Sequence, residues 1–190
     1  MIGVLGAPSL GRGKLIRQIE KELETRGVAL ARTGQLGNRA AAIGLAKKQY
    51  HTVASTEWII TQGIADAITA AAQGPQAILA DGPPHEALAY LNAALEYRGE
   101  RIHRQERERL LLLASTQLPK YDLLLATVLD TARMVEQRLD DNSRYRVLVD
   151  LHTHALLTEE QIPHLRVTND LASQTGAVEK ALRLLSPAAV

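Results

Sequence analysis

Ile2-Gly3-Val4-Leu5-Gly6-Ala7-Pro8-Ser9-Leu10-Gly11-Arg12-Gly13-Lys14-Leu15-Ile16 is the stretch on which the reading of this chain turns. A short unbroken apolar run gives way to a glycine-rich turn, and Leu15, Ile16, Ile19 and Leu23 then recur at helical spacing. In such a turn the glycines admit positive φ and let an anion come close to the backbone. The converging N–H groups and the helix N-terminus, worth about half a positive charge, both favour phosphate. A buried strand, a phosphate cradle and a helix are therefore expected in that order.

The usual spacing for such a cradle is G-x-x-x-x-G-K-[ST]. One register keeps Gly6 and Gly11, puts Arg12 in place of the lysine and Gly13 in place of the hydroxyl residue. The other keeps Gly13-Lys14 but puts Pro8 at the first glycine and Leu15 at the hydroxyl position. The first is preferred, because it preserves the loop length and turns Leu15 and Ile16 toward the core. Arg12 would then grip β- and γ-phosphates as a fork rather than as a point charge. In either register the side chain that normally touches Mg²⁺ is missing. A glycine turn with no ligand at all is the plain alternative.

Working outward, four more apolar runs read as strands: Val28–Ala31, Ala77–Ala80, Leu123–Val128 and Leu165–Val167. The first, third and fourth of the five runs are continuous rather than alternating, as in strands covered on both faces. Helical stripes separate them, Ala54/Trp58/Ala65/Ile68/Ala72 and Val147/Leu148/Leu151/Ala155 among them. Alternation of this kind predicts a three-layer α/β fold on a parallel sheet of about five strands, in a single domain over 1–190. The polar stretch Asp130–Tyr145 interrupts the pattern and is expected to form a small helical lid over about 130–146, or else only a solvated helix and turn.

Composition narrows the function. There is no Phe, one Trp and five Tyr, so stacking on single-stranded nucleic acid is not favoured. Lys and Arg total 22 against 21 Asp and Glu, which leaves no global field to draw in a polyanion. The absence of cysteine removes disulfides, thiolate zinc sites and a Cys nucleophile together. No signal peptide and no membrane span are read, and the expected location is cytoplasmic.

The third run ends Ala80-Asp81-Gly82-Pro83-Pro84-His85-Glu86-Ala87-Leu88-Ala89-Tyr90. Ligands of such sheets sit at the carboxyl ends of strands, which puts Asp81 on the edge that carries the glycine turn. A carboxylate there can hold Mg²⁺ or take a proton from an attacking hydroxyl, or it can simply cap a turn.

Taken together, these residues resemble the small P-loop kinases related to thymidylate kinase, and most of all the NadR-like nucleotide and nucleoside kinases. Gly6–Leu15 stands for their first element and Gln62 for a helical glutamine. Asp81–Tyr90 stands for a D-R-x-x-x-D-x-L-A-Y element, with Gly82 in place of its Arg and Glu86 in place of its second Asp. Tyr121-Asp122 opens the fourth strand, and Arg138, Arg144 and Arg146 fall in an Arg-bearing lid. The resemblance implies an ATP-dependent phosphotransferase acting on a nucleoside, nucleotide or modified base. ATP would lie on Gly6, Ser9, Gly11, Arg12, Gly13, Lys14 and Leu15, with Arg138 and Arg144 closing over it. Asp81, Arg12 and Lys14 would be catalytic, with Mg²⁺ at Asp81 and the acceptor beside Glu57, Gln62, Glu86 and Tyr90. The competing reading is a nucleotide-binding or scaffolding module that kept the fold and lost the chemistry, which the altered glycine motif favours. A homodimer is left open. The five Arg and three Glu between Arg98 and Arg109 read as a solvated, ion-paired face.

Overall fold

The computed structural model describes residues 1–130 and 141–185. Five strands, β1 (Ile2–Leu5), β2 (Leu30–Gly34), β3 (Ala77–Asp81), β4 (Leu123–Thr127) and β5 (Leu165–Val167), form one parallel sheet in the order β2-β3-β1-β4-β5. The described helices are α1 (Leu10–Thr25), α2 (Leu36–Ala42), α3 (Val53–Ala72), α4 (Pro84–Arg98), α5 (Arg104–Ser115), α6 (Asp141–Glu159) and α7 (Leu171–Arg183).

Residues alternate across each strand, and β1 shows how this divides the core. Ile2 and Val4 pack with Leu15, Ile19 and Leu23 of α1 and with Ala177 and Ala181 of α7. Leu5 turns the other way, onto Leu124, Ala126 and Leu157 of α6. On that second face α4 is the central helix, its Ala87, Leu88 and Leu91 meeting Ile60 of α3, Leu110 of α5 and Leu156 of α6. Small residues along α4, Ala89, Ala93 and Ala94, are fully buried and let neighbouring helices approach closely.

Four strands fall where the apolar runs predict, while β2 begins two residues late and runs into Arg32-Thr33-Gly34. It is an edge strand paired with β3 alone, so it has no second neighbour to demand a fully apolar sequence. The expected inner faces of α3 and α6 are corrected. In α3 the buried residues are Ser55, Thr56, Ile60, Ala67 and Ala70, and Ile68 is exposed. In α6 they include Tyr145, Leu148, Val149, Leu156 and Leu157, with Val147 and Leu151 outside. Alanine and valine spread around both helices, so apolar spacing alone does not single out one face.

The connections from β1 lead to one side of the sheet and those after β3 to the other. The chain therefore splits at the carboxyl ends of β1 and β3, which is where doubly wound sheets leave a crevice. Val4 is in register with Asp81, and the Gly82 amide donates to the Val4 carbonyl at 3.0 Å. The glycine turn and the acidic strand end are thus direct neighbours. Among the described residues no helix is long and apolar enough to cross a membrane.

Candidate functional site

The glycine turn forms as its residues require. Gly6 takes φ +131°, and a Cβ there would collide with Thr127 of β4. Ser9 is extended and caps α1, its hydroxyl accepting from the Arg12 amide at 3.2 Å, and its carbonyl accepts from the Gly13 amide at 3.3 Å. Two of the amides that a phosphate would use are therefore engaged within the turn.

A third is engaged from outside it. The Gly6 N–H donates at 2.9 Å to Oε1 of Glu86, on the first turn of α4. Pro83 and Pro84 place that turn: Pro84 opens the helix with φ already suited to it, and Glu86 sits where the helix N-terminus favours a carboxylate. The Gly82 conformation, φ +90°, leaves room for the carboxylate, since a Cβ on it would lie 2.6 Å from Glu86 Oε2.

Arg12 completes the arrangement. It is only 8% exposed. Its Nη1 donates to the Gly6 carbonyl and to Glu86 Oε1, both at 2.6 Å. Its Nη2 donates to Asp81 Oδ1 at 2.7 Å and to Glu86 Oε2 at 3.2 Å. Asp81 Oδ2 lies 3.5 Å from Nη2 of Arg32, which also reaches Glu20 at 3.1 Å. Burial works against the Arg12 charge, but Glu86 and Asp81 outweigh it and raise the guanidinium pKa above its ordinary value. Burial likewise pushes the Glu86 carboxyl above the usual glutamate range, opposed by Arg12 and the Gly6 amide. The fork expected to hold a triphosphate holds two carboxylates instead.

This donor set does not suit Mg²⁺. The Asp81 oxygens face Arg12 and Arg32, those of Glu86 are occupied by Arg12 and Gly6, and Gly13 has no hydroxyl to offer. The same contacts stand where a phosphate would meet Gly6. Among the described residues no group of three or more His, Asp or Glu is placed to hold a metal ion.

Above the ion cluster opens a cavity of about 460 Å³. One wall is Arg12, Asp81, Glu86 and Tyr90; the other is Gln35, Leu36 and Asn38 at the start of α2 with Lys47, Lys48 and His51 from the loop before α3. Gln35 and Lys48 both hold φ +57°, so two of the three left-handed non-glycine residues among those described border this one space. Such strain gathers where a ligand is clamped. Lys47 and Lys48 have no ion-pair partner among the described residues, and Lys48 sits in a short 3₁₀ turn, Lys48–Tyr50. His51 is buried, and burial lowers its pKa to about 4, so the ring is neutral at pH 7. Its Nε2 is buried without a hydrogen-bond partner. Tyr90 stands edge-on to His51 and to Tyr145, with ring centroids 6.5 and 6.4 Å apart. Burial also raises the Tyr90 pKa, leaving the phenol protonated.

The other expected site residues are more scattered. Lys14 is exposed and borders a separate hollow with Gly11, Asn169 and Gln174. Asn169 approaches Gly11 closely, and its side-chain oxygen would have to move to admit a Cβ there. Leu15 is wholly buried in the core. Glu57 pairs with Arg109, 2.9 Å from its Nη2, and Gln62 donates to Asp66 at 2.7 Å, which also binds Arg39. Neither residue borders the main cavity. Arg144 lies over the Tyr97 ring, 5.2 Å from its centre, while Arg138 and most of the expected lid lie outside the described residues. Between Arg98 and Arg109 the ion pairs do form, Arg98 with Glu100 and Arg104 with Glu108. Gln35, Asn38, Lys47, Lys48 and His51 are the residues that sequence reasoning missed. The adjacent lysines, in a stretch with no acidic residue between Glu24 and Glu57, are the available signal.

The sheet order, the glycine turn after β1 and the acidic end of β3 define the class: an α/β protein of the P-loop NTPase fold. Among solved structures the chain is similar to NadR protein in complex with NAD and AMP-PNP, with a TM-score of 0.66 and 15% identity over 100% of this chain and 50% of that one. It is also similar to NadR protein in complex with NR, with a TM-score of 0.60 and 15% identity over 97% of this chain and 49% of that one. At that identity the likeness is one of fold, and the chain spans about half the length of the proteins it matches. No protein-family model matches the sequence, and no curated protein matches it.

Proposed function

We propose that this chain is a nucleoside- or nucleotide-binding module that keeps the P-loop kinase framework and has given up phosphoryl transfer from a loop-bound triphosphate. The observation that carries this reading is the burial of Arg12 between Asp81 and Glu86, with Glu86 on the Gly6 amide. Phosphoryl transfer relies on positive charge positioned at the transferring group, and here that charge is spent on side chains. For ATP to seat in the usual manner, Glu86 would have to release Gly6 and Arg12 together.

The cavity suits a small ligand with one anionic end. Its volume falls in the range of small-molecule pockets. Lys47 and Lys48 supply positive charge, Leu36 and Tyr90 supply apolar surface, and Gln35 and Asn38 supply amides that can read polar edges. NadR complexes with NR, NAD and AMP-PNP on the same fold support looking first among nucleosides and nucleotides.

The test combines thermal shift and calorimetry over a panel of nucleosides, mono- and triphosphates and dinucleotides with a coupled phosphotransfer assay in Mg²⁺. Binding without turnover is expected. Turnover that disappears in Asp81→Asn would restore the kinase. No stabilisation by any member of the panel, far above a plausible Kd, would remove both readings.

A further inference from the structure

The ion cluster has the composition of an occupied phosphate loop. In a loaded loop an anion meets the turn amides, and a cation bridges that anion to the carboxylate at the end of the third strand. Here the Glu86 carboxylate meets the Gly6 amide at 2.9 Å, and the Arg12 guanidinium bridges it to Asp81 at 2.6 and 2.7 Å. The fit is close: Gly82 leaves no space for a Cβ beside Glu86, and Arg12 also binds the Gly6 carbonyl. Arg12 serves both carboxylates, and Arg32, shared with Glu20, brings a second positive charge to 3.5 Å from Asp81.

We infer that Glu86 and Arg12 are the loop's resident anion and cation, so that the protein binds its ligand without a divalent metal and the turn takes no external phosphate while Glu86 is present. For the cavity ligand this rests on the binding-module reading; for the turn itself it needs no nucleotide. Removing the Glu86 carboxylate leaves Arg12 paired one-to-one with Asp81 and frees the Gly6 amide. The vacated place, a guanidinium beside a backbone N–H, then suits a phosphate oxygen.

Inorganic pyrophosphate is the probe, because it has no base or sugar to use the cavity. Wild-type protein and Glu86→Ala are titrated with it, in EDTA and in Mg²⁺, by thermal shift and calorimetry. With Lys47 and Lys48 replaced by Ala in both proteins, so that the cavity's cationic end cannot hold the probe, the protein with Glu86 is expected to show no change, and Glu86→Ala to gain several degrees in Tm at a pyrophosphate concentration about a hundred times its Kd. Should Glu86→Ala not fold, Glu86→Ser carries the same readout, its side chain too short to reach the Gly6 amide and its hydroxyl suited to the first turn of α4. In parallel, the best nucleotide of the panel is titrated into wild type in EDTA and in Mg²⁺, with equal affinity expected. Wild-type binding of pyrophosphate that survives replacement of Lys47 and Lys48 by Ala, a folded Glu86 variant that gains none, or a nucleotide affinity that falls about tenfold or more in EDTA would each overturn the inference. If no nucleotide binds at all, the proposed function fails, and the pyrophosphate titrations still decide this inference.

Discussion

Replacing Arg12 by Met removes the charge at the centre of the site while keeping most of its aliphatic stem. Two carboxylates would then face each other in a largely enclosed space, with side-chain exposures of 22% for Asp81 and 12% for Glu86, and the Gly6 carbonyl would lose a donor. Breaking a buried ion pair from one side costs about 3–5 kcal/mol, because the remaining charge stays desolvated. For a chain of this size that corresponds to a fall in Tm of roughly 6–20 °C. Urea unfolding followed by the fluorescence of Trp58, the single tryptophan, measures it. The defect should be largest at neutral pH. Burial raises Glu86, and loss of Arg12 removes an interaction that had lowered it. The Glu86 carboxyl of the variant therefore takes up a proton as pH falls through its elevated range, and part of the loss is recovered. The triple replacement Arg12→Met, Asp81→Asn, Glu86→Gln should also recover much of it. A cost below about 1 kcal/mol, as for an exposed pair, or a defect that does not change with pH would refute the reasoning.

Other consequences are equally direct. His51 and His85 are both buried with pKa values lowered to about 4, so the unfolded chain binds protons there more readily than the folded one. Their contribution is complete above pH 6.5 and is lost as pH falls toward 4, by roughly 3 kcal/mol each; pH-dependent unfolding of His51→Gln and His85→Asn should show a flatter acid limb. Gly82→Ala must fit a Cβ 2.6 Å from Glu86 Oε2 at φ +90°, and equilibrium unfolding should show a loss of about 1–3 kcal/mol. Joint replacement of Lys47 and Lys48 by Ala should weaken a phosphate-bearing ligand about tenfold or more in calorimetry and leave the uncharged nucleoside unchanged. Equal losses for both ligands would put the anionic end of the ligand elsewhere.

Much of the fold was legible because continuous apolar runs mark strands covered on both sides. The runs at Ile2, Ala77 and Leu123 became β1, β3 and β4, the three central strands of the sheet. The runs that misled were those with weaker demands on them. Edge strand β2 tolerates Arg32 and Thr33, and alanine-rich α3 presents apolar residues on several sides. The candidate site was legible in its parts but not in its assembly. The turn, Asp81 and Glu86 were all singled out, and the structure brings Arg12 to both carboxylates. Whether Glu86, 80 positions along the chain from Gly6, faces a substrate or plugs the turn depends on the entry angle of α4, set by Pro83 and Pro84. Glu57 and Gln62 went elsewhere because their partners, Arg109 and Asp66, lie beside them only once α3 is packed and coiled. Lys47, Lys48 and His51 escaped notice because a loop between two helices has no periodicity to mark its inward residues.

The most direct measurement is a crystal structure grown with excess Mg²⁺ and AMP-PNP. Arg12 should remain between Asp81 and Glu86, with no phosphate oxygen in hydrogen-bonding distance of the Gly6 amide. A β-phosphate seated on the turn amides, with Mg²⁺ beside Asp81 and Glu86 swung away, would contradict the account.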